Sequence, residues 1–176
     1  MTINKVLLTV LVGLSISLSA IALEVGDQAP DFTLEATDGK TYTLEQFHNK
    51  QAIVIAWYPR TCISGCTMEC KALAKNGHLL KALDVTYFMA SVEPVETNKE
   101  FAAEKEADFP LLSDPSKKVA AAYDVLAFYG MPMRHTVYIG KDGKVLFVDR
   151  NIQAATSAED MAAKLKELGI PARQAS

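Results

Sequence analysis

Two nearly continuous apolar runs constrain the fold of this chain more than any other feature. Residues 52–57 are apolar at all six positions, and residues 85–92 are almost entirely apolar. Runs of this length are typical of strands that are buried on both faces of a partly parallel sheet. The sequence between the two runs has helical spacing, with Asn76-Gly77 as a stop signal. A strand, a helix and a second strand in this order predict a buried β-α-β unit.

Antiparallel hairpins are predicted near both ends of the chain. Residues 31–44 alternate apolar and polar positions around Asp38-Gly39, which is a strong hairpin signal. Residues 136–139 and 145–148 are two further apolar segments, separated by a short turn that contains Gly143. We therefore expect a small hairpin at the start of the domain and a second hairpin that closes the sheet.

Further helices are predicted between and after these strands. Thr97 and Glu100 have the spacing of a capping box, which predicts a helix that begins at Thr97 and runs towards Glu106. Residues 117–123 and a final amphipathic stretch over residues 157–168 also have helical patterns. The element order is that of a thioredoxin-like α/β domain, with a mixed central sheet flanked by helices and an N-terminal hairpin.

The N-terminus predicts export. Lys5 is followed by 13 largely apolar residues and then by Ser19-Ala20-Ile21-Ala22, which is typical of a secretory signal peptide cleaved after Ala22. An apolar run of this length falls short of the ~20 residues that cross a bilayer. We expect residues 1–22 to be a signal peptide and residues 23–176 to be the mature domain. The mature protein would be periplasmic or secreted, without a stable membrane anchor.

The charge balance argues against a nucleic-acid partner. The chain has 18 Lys and Arg residues against 21 Asp and Glu residues, and the basic residues do not cluster. A surface that binds nucleic acid or anionic lipid needs a concentrated positive field, which this composition does not provide.

The three cysteines indicate chemistry rather than a structural scaffold. Cys62, Cys66 and Cys70 lie within nine residues, so they cannot cross-link distant parts of the domain. Their number is odd, so at most one internal disulfide can form. In an exported protein these thiols would not be kept reduced by cytosolic glutathione.

Cys66 is the best candidate nucleophile among the three. The buried strand ends before Pro59, and the following helix begins near Cys66. A cysteine in the first helical turn faces free N–H groups and the positive end of the helix dipole, which favour the thiolate. Cys62 would lie in the approach loop, and Cys70 one turn further along the same helix face. Either thiol could attack an oxidised Cys66.

At this level of detail the chain resembles a known family. Over roughly residues 23–168 it is similar to peroxiredoxins of the bacterioferritin-comigratory or Q type, thiol peroxidases of the AhpC/TSA superfamily with a thioredoxin fold. The resemblance rests on the opening residues 25–32, on Trp57-Tyr-Pro59 followed by Gly65-Cys66-Thr67 and Glu69, on Leu111-Leu-Ser-Asp114-Pro, and on Arg134 leading into residues 137–144.

The resemblance implies a role for each matching residue. Cys66 would be the peroxidatic cysteine, which attacks a hydroperoxide and becomes a sulfenic acid. Pro59 would shield the site from water, Arg134 would stabilise the thiolate and the developing charge, and Glu69 would orient Arg134. A second thiol then forms a disulfide, which an external thiol reductant such as a thioredoxin-like protein reduces. We expect no cofactor and no metal, and a monomer or weak homodimer.

The sequence departs from the family pattern just before Cys66. The family has a threonine three residues before its peroxidatic cysteine and commonly a proline after that threonine, whereas this chain has Ile63 and Ser64. Isoleucine cannot hydrogen-bond a peroxide, and loss of such a contact typically costs ~10²–10³ in rate. Ser64 and Thr67 are the candidate substrate-binding residues, and Thr61 is another source of a hydroxyl group.

The sequence also departs from the family at the resolving cysteine. In Q-type proteins that carry this cysteine on the same helix it lies five residues after the peroxidatic one, where this chain has Lys71. Cys70, at plus four, is the first candidate for the resolving thiol, although its side chain needs some unwinding of the helix to reach Cys66. Cys62 is the second candidate because a loop residue needs no such unwinding.

Two alternatives of other functional classes remain at this point. Cys62 and Cys66 together with His135 resemble the ligand set of Sco-type copper chaperones, which are exported and thioredoxin-like, and thiolates suit Cu(I). That reading leaves Arg134 unexplained, and the histidine lies closer to Gly143 than the Sco pattern places it. A thiol–disulfide exchange protein is the other alternative, which the absence of a Cys-x-x-Cys motif weakens.

Overall fold

A computed structural model describes residues 22–61 and 64–174 of the chain. Within these ranges the chain forms seven strands: β1 (Thr33–Ala36), β2 (Thr41–Thr43), β3 (Ala52–Trp57), β4 (Val85–Ser91), β5 (Leu111–Ser113), β6 (His135–Ile139) and β7 (Val145–Asp149). It also forms five α-helices: α1 (Ser64–Asn76), α2 (His78–Lys81), α3 (Val95–Glu104), α4 (Lys118–Ala122) and α5 (Ser157–Glu167). Short 3-10 helices cover Leu44–Phe47 and Ala154–Thr156. The predicted signal peptide lies outside the described residues except for Ala22.

The strands form one mixed sheet in the order β2-β1-β5-β4-β3-β6-β7. The β3, β4 and β5 strands are parallel neighbours, and the remaining pairs are antiparallel. The predicted β-α-β unit and both predicted hairpins are confirmed. None of the helices described here is long and apolar enough to span a membrane.

The β3 strand separates two hydrophobic cores, because successive side chains of a strand point to opposite faces of the sheet. Val54, Ala56 and, just after the strand, Tyr58 belong to the cluster that also contains Cys66 and Cys70, which we call the α1-side core. Ile53, Ile55 and Trp57 belong to the cluster on the other face of the sheet. All six residues of β3 are buried, as the continuous apolar run predicts.

The predicted start of α3 is wrong. The helix begins at Val95 and ends at Glu104, and Thr97 lies within its first turn without forming a capping box. Pro94 is the N-cap residue, with φ of −56° and ψ of 151°. A residue that precedes proline is disfavoured in the helical region, so Pro94 prevents the helix from including Glu93 and sets its start. Glu106 lies beyond the helix, in the left-handed region with φ of 55°.

Candidate active site

Cys66 lies in the first turn of α1, as predicted. The helix begins at Ser64, so the backbone N–H groups of its first turn have no partner within the helix. The positive end of the helix dipole therefore lies close to Cys66. The side chain is fully buried in the α1-side core, among residues that include Ala56 and Tyr58. The sulphur therefore lies near the positive end of the helix and is covered in this conformation.

Arg134 contacts the sulphur of Cys66. Its Nη2 atom donates a hydrogen bond to Cys66 Sγ at 2.9 Å, although the two residues are 68 positions apart in the chain. The antiparallel pairing of β3 with β6 sets Trp57 opposite His135. Arg134, which precedes His135, therefore lies beside the end of β3, where the chain turns towards α1.

Glu69 holds the other side of the guanidinium. Arg134 Nη1 forms a salt bridge with Glu69 Oε2, and the Glu69 side chain is fully buried. Its second oxygen, Oε1, has no hydrogen-bond partner among the described residues. Burial raises the pKa of Glu69 to about 7, although the charge of Arg134 and its hydrogen bond act in the opposite direction. Burial also lowers the pKa of Arg134, but Glu69 and Cys66 together raise it above its ordinary value, so Arg134 stays charged.

Gly65 allows Arg134 to approach the helix. A Cβ atom built on Gly65 would lie 3.0 Å from Arg134 Nη2, closer than nine in ten real Cβ contacts, so the guanidinium would have to shift by a few tenths of an ångström. The guanidinium therefore packs over backbone that has no side chain. Gly65 therefore has a steric role, which the family pattern Gly65-Cys66-Thr67 did not by itself indicate.

Cys70 is buried in the same core as Cys66, one helical turn further along. Neither cysteine forms a disulfide in this structure. Burial raises the pKa of the Cys70 thiol to about 12; the charge of Glu69 acts in the same direction, and that of Lys105 opposes it. The Cα atoms of residues i and i+4 in a helix lie roughly 6 Å apart, within the range that a disulfide can bridge. The other candidate, Cys62, lies outside the described residues, as does Ile63.

The remaining candidate residues surround this centre. Pro59 is half-buried at the bend after β3, and Ser64 is exposed at the start of α1. Thr67 is half-buried and lines a groove between α1 and α3. Thr61 is buried and is bound by Glu93, whose carboxylate accepts hydrogen bonds from the Thr61 backbone N–H at 2.8 Å and from its hydroxyl group at 3.4 Å.

A buried polar network anchors the approach to the active site, and sequence reasoning missed it. Asn98 on α3 is its centre: it accepts hydrogen bonds from the hydroxyl groups of Tyr58 at 2.7 Å and Ser91 at 3.1 Å, and it donates one to Ser113 Oγ at 2.7 Å. Ser91 Oγ accepts in turn from the backbone N–H of Glu93 at 3.2 Å. The polar partners come from separate segments of the chain, so no local sequence pattern indicated this network.

His135 does not join Cys66. In β6 it lies opposite Trp57, on the face of the sheet that carries Val137 and the second core, whereas Cys66 belongs to the α1-side core. Burial and the charge of Arg150 lower the pKa of His135. Across the described ranges, no group of three or more His, Cys, Asp and Glu side chains is arranged to hold a metal ion. The geometry does not favour a copper site built from Cys66 and His135.

The fold and the site together define a thioredoxin-fold protein with a buried cysteine next to a guanidinium. Comparison with known proteins agrees: residues 25–148 match the AhpC/TSA family. The chain is 30% identical over 128 residues to the chloroplastic peroxiredoxin Q of Oryza sativa subsp. japonica, covering 72% of this chain and 58% of that protein. It is 26% identical over 155 residues to peroxiredoxin Bcp of Bacillus subtilis, covering 84% of this chain and 98% of that protein.

A solved structure shows the same architecture. The crystal structure of peroxidoxin BcpB from Mycobacterium tuberculosis matches with a TM-score of 0.74 and 29% identity, covering 82% of this chain and 97% of that one. The chain belongs to the AhpC/TSA family and, within it, to the peroxiredoxins of the bacterioferritin-comigratory or Q type.

Proposed function

We propose that this protein is a thiol peroxidase that reduces hydrogen peroxide or small organic hydroperoxides at Cys66. The observation that carries the proposal is the hydrogen bond of 2.9 Å from Arg134 Nη2 to Cys66 Sγ. A guanidinium in contact with a sulphur in the first turn of a helix favours the thiolate, which is the reactive form of cysteine. Membership of a peroxiredoxin family supports the same chemistry.

The reaction begins with attack of the Cys66 thiolate on the terminal oxygen of the hydroperoxide. An S–O bond forms, the O–O bond breaks, and the sulphur is oxidised to a sulfenic acid while the peroxide is reduced. The leaving hydroxide or alkoxide takes up a proton and departs as water or an alcohol. Negative charge moves from sulphur to oxygen during this step, and Arg134 is positioned to stabilise it with a charged donor. Glu69 holds the guanidinium in place by binding its other nitrogen.

Access to the sulphur requires a small movement of the site. Cys66 is fully buried, whereas the side chain of Arg134 that touches it is 19% exposed. We infer that a hydroperoxide approaches beside Arg134 and that Pro59, half-buried at the preceding bend, limits the entry of water. Ser64 and Thr67, both on the first turns of α1, are the proposed contacts for the oxygen atoms or the organic group of the substrate.

Resolution uses a second thiol, for which Cys70 remains our first proposal. Its thiolate attacks the sulphur of the Cys66 sulfenic acid, a disulfide forms, and the released hydroxide becomes water with the proton that Cys70 gave up. The first turn of α1 must unwind in this step, because both sulphurs are fixed in a helix. Cys62 is the second proposal. An external thiol reductant such as a thioredoxin-like protein then reduces the disulfide.

We also propose export, on the evidence of the N-terminal sequence alone. The signal peptide would be removed after Ala22, leaving a periplasmic or secreted enzyme that acts as a monomer or weak homodimer. The mass and N-terminal sequence of the protein recovered from the periplasm or medium of an expressing bacterium test this. A mature chain that begins at Leu23 supports export, and retention of Met1 in the cytoplasm contradicts it.

Steady-state peroxide consumption tests the proposed activity. The mature protein is supplied with hydrogen peroxide or an alkyl hydroperoxide and a thiol reductant, and the variant Cys66→Ser is the critical comparison. We expect turnover by the unmodified protein and none by Cys66→Ser. The control is Lys75→Met, which changes an exposed residue of the same helix and leaves turnover intact. Equal peroxide consumption with and without Cys66 would contradict the proposal.

A further inference from the structure

The groove between α1 and α3 lies over the α1-side core. Its lining includes Thr67 from α1 and, from α3 and its C-terminal end, Phe101, Glu104 and Lys105. Phe101 is buried and stacks on Tyr58 with ring centroids 5.9 Å apart. Phe101 and Tyr58 belong to the same core as Cys66 and Cys70. Phe101, at the floor of the groove, therefore belongs to the core that holds the two buried thiols.

The side chain of Lys105 lies at the floor of the groove and is unusually buried for a lysine. Its side chain is only 11% exposed, and its Nζ lies 5.8 Å from the centroid of the Phe101 ring. The neighbouring Glu104, with a side chain that is 70% exposed, forms a salt bridge with it. A surface lysine normally extends into water because its ammonium group is strongly hydrated. The conformation here instead keeps the positive charge next to the core.

The charge of Lys105 acts on Cys70. Four of the described residues interact electrostatically with this thiol. Three of them carry no charge or a negative charge: Glu69 and Cys66 on α1, and Tyr58 after β3. The fourth, Lys105, carries a positive charge. Glu69 and Cys66 favour the protonated thiol, and so does burial. Lys105, which lines the groove, opposes them.

We propose that Lys105 is a positioning residue for the resolving step, in which its ammonium group favours the thiolate of Cys70 that attacks the oxidised Cys66. The inference rests on the proposed peroxidase function and on Cys70 as the resolving thiol. The step joins Cys66 Sγ to Cys70 Sγ and breaks the S–O bond of the sulfenic acid. Hydroxide leaves and forms water with the proton lost by Cys70, and the hydroperoxide is the oxidant that this chemistry requires. Arg134 serves the first step and Lys105 serves the second.

A single-turnover experiment separates the two steps. In a Cys62→Ser background, the reduced protein is mixed with one equivalent of hydrogen peroxide and quenched at intervals. Intact-mass analysis then follows the sulfenic acid at Cys66 and the Cys66–Cys70 disulfide. In Lys105→Met, we expect the sulfenic acid to form at the parent rate and the disulfide to form roughly tenfold more slowly at pH 7, because loss of the ammonium group lowers the thiolate fraction of Cys70.

Two further variants distinguish charge from packing. Lys105→Arg keeps the positive charge and should restore most of the rate. Lys71→Met is the matched control, because Lys71 is next to Cys70 in sequence but exposed. It should form the disulfide at the parent rate.

Several results would overturn this inference, and they can be told apart. Parent-like disulfide formation in Lys105→Met overturns the inference, and so does a deficit that Lys105→Arg does not restore. If the parent forms the sulfenic acid but no Cys66–Cys70 disulfide, Cys70 is not the resolving thiol and the inference fails while the peroxidase function stands. If no sulfenic acid forms at Cys66, the proposed function itself fails, and the inference fails with it.

Discussion

Arg134 Nη2 lies 2.9 Å from Cys66 Sγ, and its Nη1 forms a salt bridge with Glu69 one helical turn away. One planar guanidinium thus joins a thiol and a carboxyl group of the same helix. The arrangement depends on the pairing of β6 with β3, which fixes where Arg134 enters, and on Gly65, which leaves room for it.

Replacement of Arg134 should slow the oxidation of Cys66. In Arg134→Met we expect a decrease of ~10²–10³ in the rate of sulfenic acid formation, the typical cost of removing one charged donor from a transition state. Arg134→Lys should fall between this variant and the parent, because one ammonium group cannot reproduce the planar fork that binds Cys66 and Glu69 together. Stopped-flow measurement of peroxide-dependent thiol loss checks this, and an unchanged rate in Arg134→Met would contradict the role.

Substitution of Gly65 should separate activity from stability. In Gly65→Ala the added Cβ would lie 3.0 Å from Arg134 Nη2 and push the guanidinium away from the sulphur. Alanine is also a better helix former than glycine by about 1 kcal/mol, so the fold should not be lost. We expect slower oxidation of Cys66 with a thermal midpoint close to that of the parent. Lys75→Ala, at an exposed position of α1, controls for helix propensity. If Cys66 is oxidised at the parent rate in both alanine variants, the packing of Arg134 over Gly65 does not contribute to the reaction.

The buried carboxyl group of Glu69 should make stability depend on pH. Folding raises its pKa from 4.5 to about 7, so the folded protein binds this proton more tightly than the unfolded chain does. The corresponding contribution to stability is fully present below pH 4.5 and is lost as the pH rises to about 7, with a total of about 3 kcal/mol. Glu69→Gln lacks this contribution.

Urea denaturation at several pH values measures this difference. The free energy of unfolding of the parent should fall, relative to that of Glu69→Gln, as the pH increases from 4.5 to about 7. Parallel pH profiles for the two proteins would show that folding does not change the pKa of Glu69, contrary to the assignment.

Ile63 offers a test of the departure from the family pattern. The resemblance places a peroxide-binding threonine at this position, so Ile63→Thr should increase the rate of Cys66 oxidation, by up to ~10²–10³ if the hydroxyl group is fully effective. Ile63→Val is the matched control, because valine has nearly the shape of threonine but no hydroxyl group. Faster oxidation of Cys66 in Ile63→Thr but not in Ile63→Val supports the interpretation, and equal rates in the two variants argue against it.

The sequence predicted those parts of the structure that local patterns determine. The apolar run of β3 and the Asp38-Gly39 turn identified buried strands and a hairpin, because side-chain alternation and turn chemistry act over a few residues. The placement of Cys66 in the first helical turn followed in the same way. The start of α3 did not follow the capping-box spacing of Thr97 and Glu100, because Pro94, whose ring restricts the preceding residue, is the N-cap.

Contacts between distant segments could not be derived from such patterns. The proximity of Arg134 to Cys66 came from resemblance alone, since it depends on the register of β3 against β6. The Asn98 network and the position of Lys105 left almost no local signal, because their partners are remote in sequence. The complete burial of Cys66 was also not predicted: the apolar pattern of the preceding strand ends before the helix begins.

The most direct test of the account is the second-order rate constant for the reaction of hydrogen peroxide with Cys66, measured on the reduced mature protein and compared with that of free cysteine at the same pH. The account predicts a far faster reaction, with the first oxidised product a sulfenic acid at Cys66 that is absent in Cys66→Ser. A rate no greater than that of free cysteine, or first oxidation at another cysteine, would contradict it.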